Sequence, residues 1–152
     1  MSDPTIDDLV ARLQHLEDDA AIRSTLYAYG AAIDYGDREQ FLDCFTPDAD
    51  YVVTMRLSGP GSGLQFHGVD ELGAYFDGHT HAPAAWHKHV TTNVSIALAG
   101  DTATARSYFL RVDAASEAGP ATVIASGRYE DTLVRDGQVW RIRSRRCEVE
   151  NL

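Results

Sequence analysis

Helical periodicity fills the start of this chain and then gives way to strands, and that order limits the fold more than any other feature. Ile6, Leu9, Val10, Leu13 and Leu16 recur at three- and four-residue spacing. Ile22, Leu26, Tyr29, Gly30 and Ile33 continue the pattern beyond the acidic Glu17, Asp18 and Asp19. The first 35 residues therefore read as helical, as one bent helix or two, with Asp3 as N-cap and Pro4 as first helical residue. Asp37, followed by Glu39 and Gln40, predicts the cap of a short helix carrying Phe41, Leu42 and Phe45 and ended by Thr46 and Pro47.

From Ala49 the texture is β. Tyr51 to Met55, the turn Ser58-Gly59-Pro60-Gly61-Ser62-Gly63 and Leu64 to Phe66 read as a hairpin, followed by a short helix over Val69–Asp77. Three long strands are predicted over His87–Leu98, Thr102–Asp113 and Ala121–Arg135, with a last over Gln138–Val149. The turns Ala99-Gly100-Asp101 and Arg135-Asp136-Gly137 make them antiparallel neighbours. Helices first and hairpin-linked strands last is an α+β order, without the alternation that a parallel sheet requires. The expectation is one domain over residues 1–152, in which N-terminal helices close one end of a strongly curved antiparallel sheet around a pocket.

Charge narrows the partners. Thirteen Lys plus Arg against 23 Asp plus Glu give a net charge of -10, which repels a phosphate backbone or an anionic membrane, so no nucleic acid and no membrane is expected. Cys44 and Cys147 have no CxxC spacing and read as reduced thiols of a cytoplasmic protein. The N-terminus lacks a basic start followed by an apolar run, so a soluble, unexported chain is expected.

Two places could carry chemistry. Asp34 ends the second helical stretch, where the plain reading is a solvated or capping carboxylate. The segment from His79 to Asn93 holds four of the six histidines: His79, His81, His87 and His89. On a strand, His87 and His89 share a face with Thr91 and Asn93. A metal site, a base with a partner carboxylate and surface histidines all fit that stripe. No CxxC, HExxH or comparable signature supports metal, and none is expected. Simple alternation also sets His89 opposite to Val90, Val94 and Ile96, which turns it outward unless a β-bulge intervenes.

An ordered set of pieces resembles the SnoaL-like group of the nuclear transport factor 2-like superfamily. The pieces are Tyr29 with Asp34, Phe45-Thr46-Pro47-Asp48-Ala49-Asp50-Tyr51, His89 with Thr92 and Asn93, and Asp136-Gly137-Gln138-Val139-Trp140-Arg141-Ile142 followed by Arg145 and Arg146. The resemblance implies a cone-shaped sheet around a pocket. It resembles scytalone dehydratase, the bile-acid dehydratases and the hexachlorocyclohexane dehydrochlorinases, whose catalytic pair falls on His89 and Asp34. The dehydrochlorinase arginine falls on Arg145, chosen over Arg146, and the dehydratase pocket tyrosines fall on Tyr29 and Tyr51. Where scytalone dehydratase has a second essential histidine, this chain has Tyr108 and Arg111, which argues against scytalone as substrate.

In such a pair the carboxylate fixes the imidazole tautomer and favours the imidazolium, while the histidine moves the proton. Elimination of water or halide, a double-bond shift or an aldol closure would all use it, without a cofactor. Arg145, Tyr29 or Tyr51 would stabilise the leaving group or oxyanion. Tyr27, Phe66, Trp86 and Phe109, with Tyr29 and Tyr51, are candidate walls for a small, largely apolar ring, with Tyr108 a further candidate substrate contact, although an aromatic residue at such a position is more often plain core. The rival function is a non-catalytic small-molecule-binding or oligomerisation domain, favoured if His89 and Asp34 lie beyond water-bridged reach with no open pocket. A homodimer or homotrimer is expected, because one sheet face would otherwise leave apolar surface in water.

Overall fold

The computed structural model describes residues 3–56, 63–114 and 119–151. The first helical region is one helix, α1 (Ile6–Tyr35), of 30 residues. Its N-cap is Thr5, not Asp3. The Thr5 hydroxyl accepts from the Asp8 main-chain N–H at 3.2 Å, and the Asp8 carboxylate accepts from the Thr5 N–H at 2.9 Å. This reciprocal pair satisfies two otherwise orphaned donors, which explains the shift of two residues. Asp37 caps α2 (Arg38–Asp43) as expected, accepting from the Gln40 N–H at 3.0 Å, and the helix stops at Cys44, so Phe45 already belongs to a strand.

The strands are β1 (Phe45–Met55), β2 (Gly63–His67), β3 (Trp86–Ala99), β4 (Thr102–Ala114), β5 (Ala121–Asp136) and β6 (Val139–Asn151), with α3 (Gly68–Asp77) between β2 and β3. Residues 57–62, most of the Gly-rich turn of the first hairpin, lie outside the described residues; its strands pair antiparallel, Asp50 opposite His67. The sheet order is β2-β1-β6-β5-β4-β3. One pairing corrects the all-antiparallel expectation: β1 runs parallel to β6. Hairpin signals govern only neighbours in sequence, whereas β1 meets the last strand, across the whole chain. Because β2 and β3 form the two edges of the open sheet, α3 and the segment after it carry the chain from one edge to the other.

The core lies between α1 and the inner sheet face. Ile22, Leu26, Tyr29 and Ile33 of α1 are buried with Phe109, Tyr129, Leu133, Trp140 and Ile142. At one end of this core the Asp18 carboxylate accepts two bonds from Arg135, at 2.6 and 2.7 Å, and one from the Trp140 indole at 3.1 Å. Those bonds, Arg135 foremost, hold the Asp18 carboxyl down to about 2. Cys44 and Cys147 are unpaired and buried, and burial pushes their thiols up to about 11 and about 12.

The conflict over His89 is resolved by a β-bulge. The β3–β4 register shifts between Thr92 and Ser95, and Asn93 takes a left-handed φ of 53°. Asparagine accepts that conformation more readily than a branched residue. One extra residue inverts the parity, so His87 and His89 before the bulge share the inner face with Val94, Ile96 and Leu98 after it.

Candidate active site

The last turn of α1 meets the start of β3 at Gly30. A Cβ on Gly30 would stand 2.9 Å from the His89 carbonyl oxygen, so only glycine lets the helix approach this closely. One turn later Asp34 reaches the same strand. Its Oδ2 accepts from the His89 main-chain N–H at 2.9 Å and its Oδ1 lies 2.6 Å from His89 Nδ1. Asp34 is 3% exposed, which rejects the solvated-carboxylate reading. A carboxylate accepts only, so Nδ1 carries the ring proton and Nε2 of neutral His89 keeps its lone pair.

The segment between α3 and β3 packs over this pair. Gly36, at φ 80°, ends α1 in a left-handed turn, and the His81 side chain sits against it. Two carbonyls left open by the helix end are met from this segment: the Asp34 carbonyl accepts from the Ala82 N–H at 3.0 Å, and the Ile33 carbonyl from His81 Nδ1 at 2.6 Å. His79 gives its Nδ1 proton to the Thr80 carbonyl at 2.9 Å. Its ring centroid lies 5.1 Å from that of His87 and 5.6 Å from that of His89. Burial lowers the His79 pKa.

His87 is 1% exposed, and neither ring nitrogen has a hydrogen-bond partner among the described residues. Its Nε2 stands 3.7 Å from Asp34 Oδ1, beyond hydrogen-bond reach. Burial, helped by His89 and Arg111, holds its pKa down to about 4. The unfolded histidine binds its proton near 6.5 and the folded one only near 4, so stability is full above 6.5 and is lost as pH falls towards 4. Urea midpoints at about pH 7 and pH 5 should therefore differ more for the native chain than for a His87→Leu variant. Equal differences would reject a neutral His87.

Asp34, His87 and His89 bring one ligand atom each within 4.8 Å of one another, and two imidazoles with a carboxylate suit a transition metal. Both Asp34 oxygens already accept from His89, so an ion held here would share oxygens that orient the imidazole.

The other sequence-derived residues separate into different places. Arg145 enters the core and Arg146 is exposed. Arg145 is sealed there, with Nε and Nη2 donating to Asp131 at 2.7 and 2.9 Å and its guanidinium stacked 4.2 and 4.3 Å from the Tyr29 and Tyr129 ring centres. Tyr29 and Tyr51 join their hydroxyls at 2.9 Å and are only 1% and 2% exposed. These three side chains pack on one another and present almost no surface. Tyr108 is 57% exposed on the outer face, beside a separate cleft bordered by Asn93, Arg106, Arg128 and Glu130 that contains neither His89 nor Asp34. Tyr27 is also exposed. Strand alternation sets Trp86 on the face of Lys88 and Val90, opposite to His87 and His89. Asp131 is a buried residue that residue type alone does not single out; its place between Tyr129 and Leu133 on an alternating strand is the sequence signal of a buried charge needing a partner.

A SnoaL-like domain model matches residues 14–146. The chain belongs to the SnoaL-like family. It is similar to an NTF2-like protein with a cystatin-like fold from Novosphingobium aromaticivorans, at 27% identity and a TM-score of 0.82 over 97% of this chain and 92% of that one. A Mycobacterium tuberculosis protein of unknown function is 29% identical, with a TM-score of 0.75 over 93% of this chain and 76% of that one. A proposed scytalone dehydratase from N. aromaticivorans shares the fold at 21% identity and a TM-score of 0.68, over 89% and 85% of the two chains. No curated protein matches. This SnoaL-like membership supports a catalytic or ligand-binding role for a small molecule. Among the described residues no helix is long and apolar enough to cross a membrane.

Proposed function

We propose that this SnoaL-like chain is a lyase or isomerase that takes a carbon-bound proton from a small, largely apolar cyclic substrate, with His89 as base and Asp34 as its orienting partner. The observation that carries the reading is the 2.6 Å contact between half-buried His89 Nδ1 and buried Asp34 Oδ1, which assigns the lone pair to Nε2. Proton transfer to Nε2 makes an imidazolium beside an existing carboxylate, and the low-dielectric surroundings strengthen that attraction. The electron pair left on carbon then expels a β-hydroxide or β-halide, or is reprotonated one position along. The likeness to a proposed dehydratase fits the first outcome.

The test uses cyclic ketones carrying a β-hydroxyl or β-chloro group, with NMR followed in D₂O for loss of the α-proton and for enone formation. The expected result is turnover by the native chain that disappears in His89→Ala. Inertness towards the whole panel, or retained turnover in His89→Ala, would reject the reading.

We also infer that the subunits associate as a dimer or trimer. Ile6, Leu9, Val10, Leu13 and Leu16 on α1 are 49–80% exposed, and Val90, Tyr108, Val123 and Ile124 add apolar surface on the outer sheet face. Sedimentation equilibrium should return a multiple of the 16.7 kDa chain mass, and a Leu9→Asp, Leu13→Asp double variant should shift the distribution towards that mass. A native chain that sediments as a monomer would exclude it.

A further inference from the structure

If His89 is the base, the charge that develops on the substrate needs a positive or hydrogen-bonding group, and the residues first suited to that role are sealed. Arg145 is shut off from water with Asp131 beneath Tyr29 and Tyr129, and Tyr29 and Tyr51 satisfy each other. Among the described residues the inner face offers one other guanidinium near His89. Arg111 is the β4 residue directly opposite His89 on β3, as Asp113 is directly opposite His87. Directly opposed side chains on one sheet face start about 4.5–5.5 Å apart. Arg111 lies two residues beyond the buried Phe109, on the same inner face, with its side chain 31% exposed.

Its orientation is fixed. Arg111 Nε and Nη2 donate to the two Asp113 oxygens at 3.0 and 3.2 Å. Anchoring one edge of the planar group in this way leaves the other edge to face a ligand with little further ordering cost. The charge also reaches the far wall, because it contributes to lowering the pKa values of His79 and His87 and acts on Tyr75.

We propose that Arg111 holds an anionic oxygen of the substrate beside His89, so that the substrate class is a ring bearing a carboxylate, or a carbonyl that becomes an enolate, next to the acidic C–H. This rests on the site assigned above, but its test is a binding measurement that does not need turnover. In the reaction, the C–H electron pair moves onto the carbonyl oxygen as the proton passes to His89 Nε2, and Arg111 stabilises the resulting O⁻.

The probes are cyclohexanecarboxylate and its neutral isostere cyclohexanecarboxamide, titrated by calorimetry into the native chain and into Arg111→Met, Arg111→Lys and Asp34→Asn. Loss of a charge-assisted hydrogen bond corresponds to about 10- to 100-fold in affinity. The carboxylate should bind the native chain about tenfold or more tighter than the amide. Arg111→Met should weaken the carboxylate by about 10- to 100-fold while leaving the amide unchanged, with Arg111→Lys between. Equal binding of the two probes, no carboxylate binding at millimolar concentration, or an Arg111→Met variant that binds the carboxylate as the native chain does would overturn the proposal. Carboxylate binding that persists in Asp34→Asn, while α-proton loss is absent even from the native chain, would count against the base pair and support Arg111 independently.

Discussion

Asp131→Ala is expected to lower the unfolding free energy by about 3–5 kcal/mol, because it leaves the Arg145 guanidinium buried without its counter-ion. Arg145 and Asp131 have no side-chain exposure, so water cannot replace the lost partner. Burial alone would disfavour the Arg145 charge, and Asp131 overcomes that effect and holds its pKa well above the ordinary value. Even in the native fold Arg145 Nη1 finds no hydrogen-bond acceptor among the described residues, so the site has little in reserve. The reverse half of the experiment is informative. An Asp131→Leu, Arg145→Met double variant removes both charges, and should recover most of the stability that Asp131→Ala loses. Urea-induced unfolding followed by circular dichroism measures both. A single variant within about 1 kcal/mol of the native chain would mean that the pair is not sealed from water.

His89→Ala and Asp34→Asn should each reduce α-proton abstraction by about 10²- to 10⁴-fold, the usual contribution of a positioned general base. The two act differently. His89→Ala removes the proposed base. Asp34→Asn keeps the shape but changes the donors: the amide oxygen can still accept from the His89 main-chain N–H, which turns the amide NH₂ towards Nδ1. Nδ1 must then accept, the ring proton moves to Nε2, and the lone pair no longer faces the substrate. Single-turnover rates by NMR, together with thermal unfolding, check this. Both variants should remain folded, and a rate within threefold of native in Asp34→Asn would show that the tautomer does not matter.

The candidate site was legible in its parts and not in its arrangement. Asp34 and His89 stood out through residue type and motif order, yet nothing local showed Asp34 to be buried, since a carboxylate at a helix end is commonly wet. In the sequence Arg111 stands out only as a departure from a family pattern, and its place opposite His89 depends on the β3–β4 register. Tyr108 and Trp86 illustrate the converse: both were plausible wall residues by type, and strand parity turned them away. Arg145 points into the core where Arg146 is exposed, but its partner Asp131 comes from a neighbouring strand, 14 residues away in sequence, which no local pattern specifies.

By itself the sequence determined what depends on near neighbours: the α+β order, the helical spans, the hairpin pairings, and the acidic surface that disfavours polyanions. Periodicity, capping and turn chemistry act over a few residues, so they can be read without coordinates. The tertiary structure decided the parallel β1–β6 pairing and the fate of each polar side chain on the inner face. It also decided the use of two small features: Gly30 lets α1 touch β3, and Asn93 takes the turn that brings His89 inward. The opening sequence feature, helices first and strands last, thus became a specific contact between the last turn of α1 and the first residues of β3. Such contacts join residues about 55 positions apart, and their geometry follows from register and close packing, which no local pattern encodes.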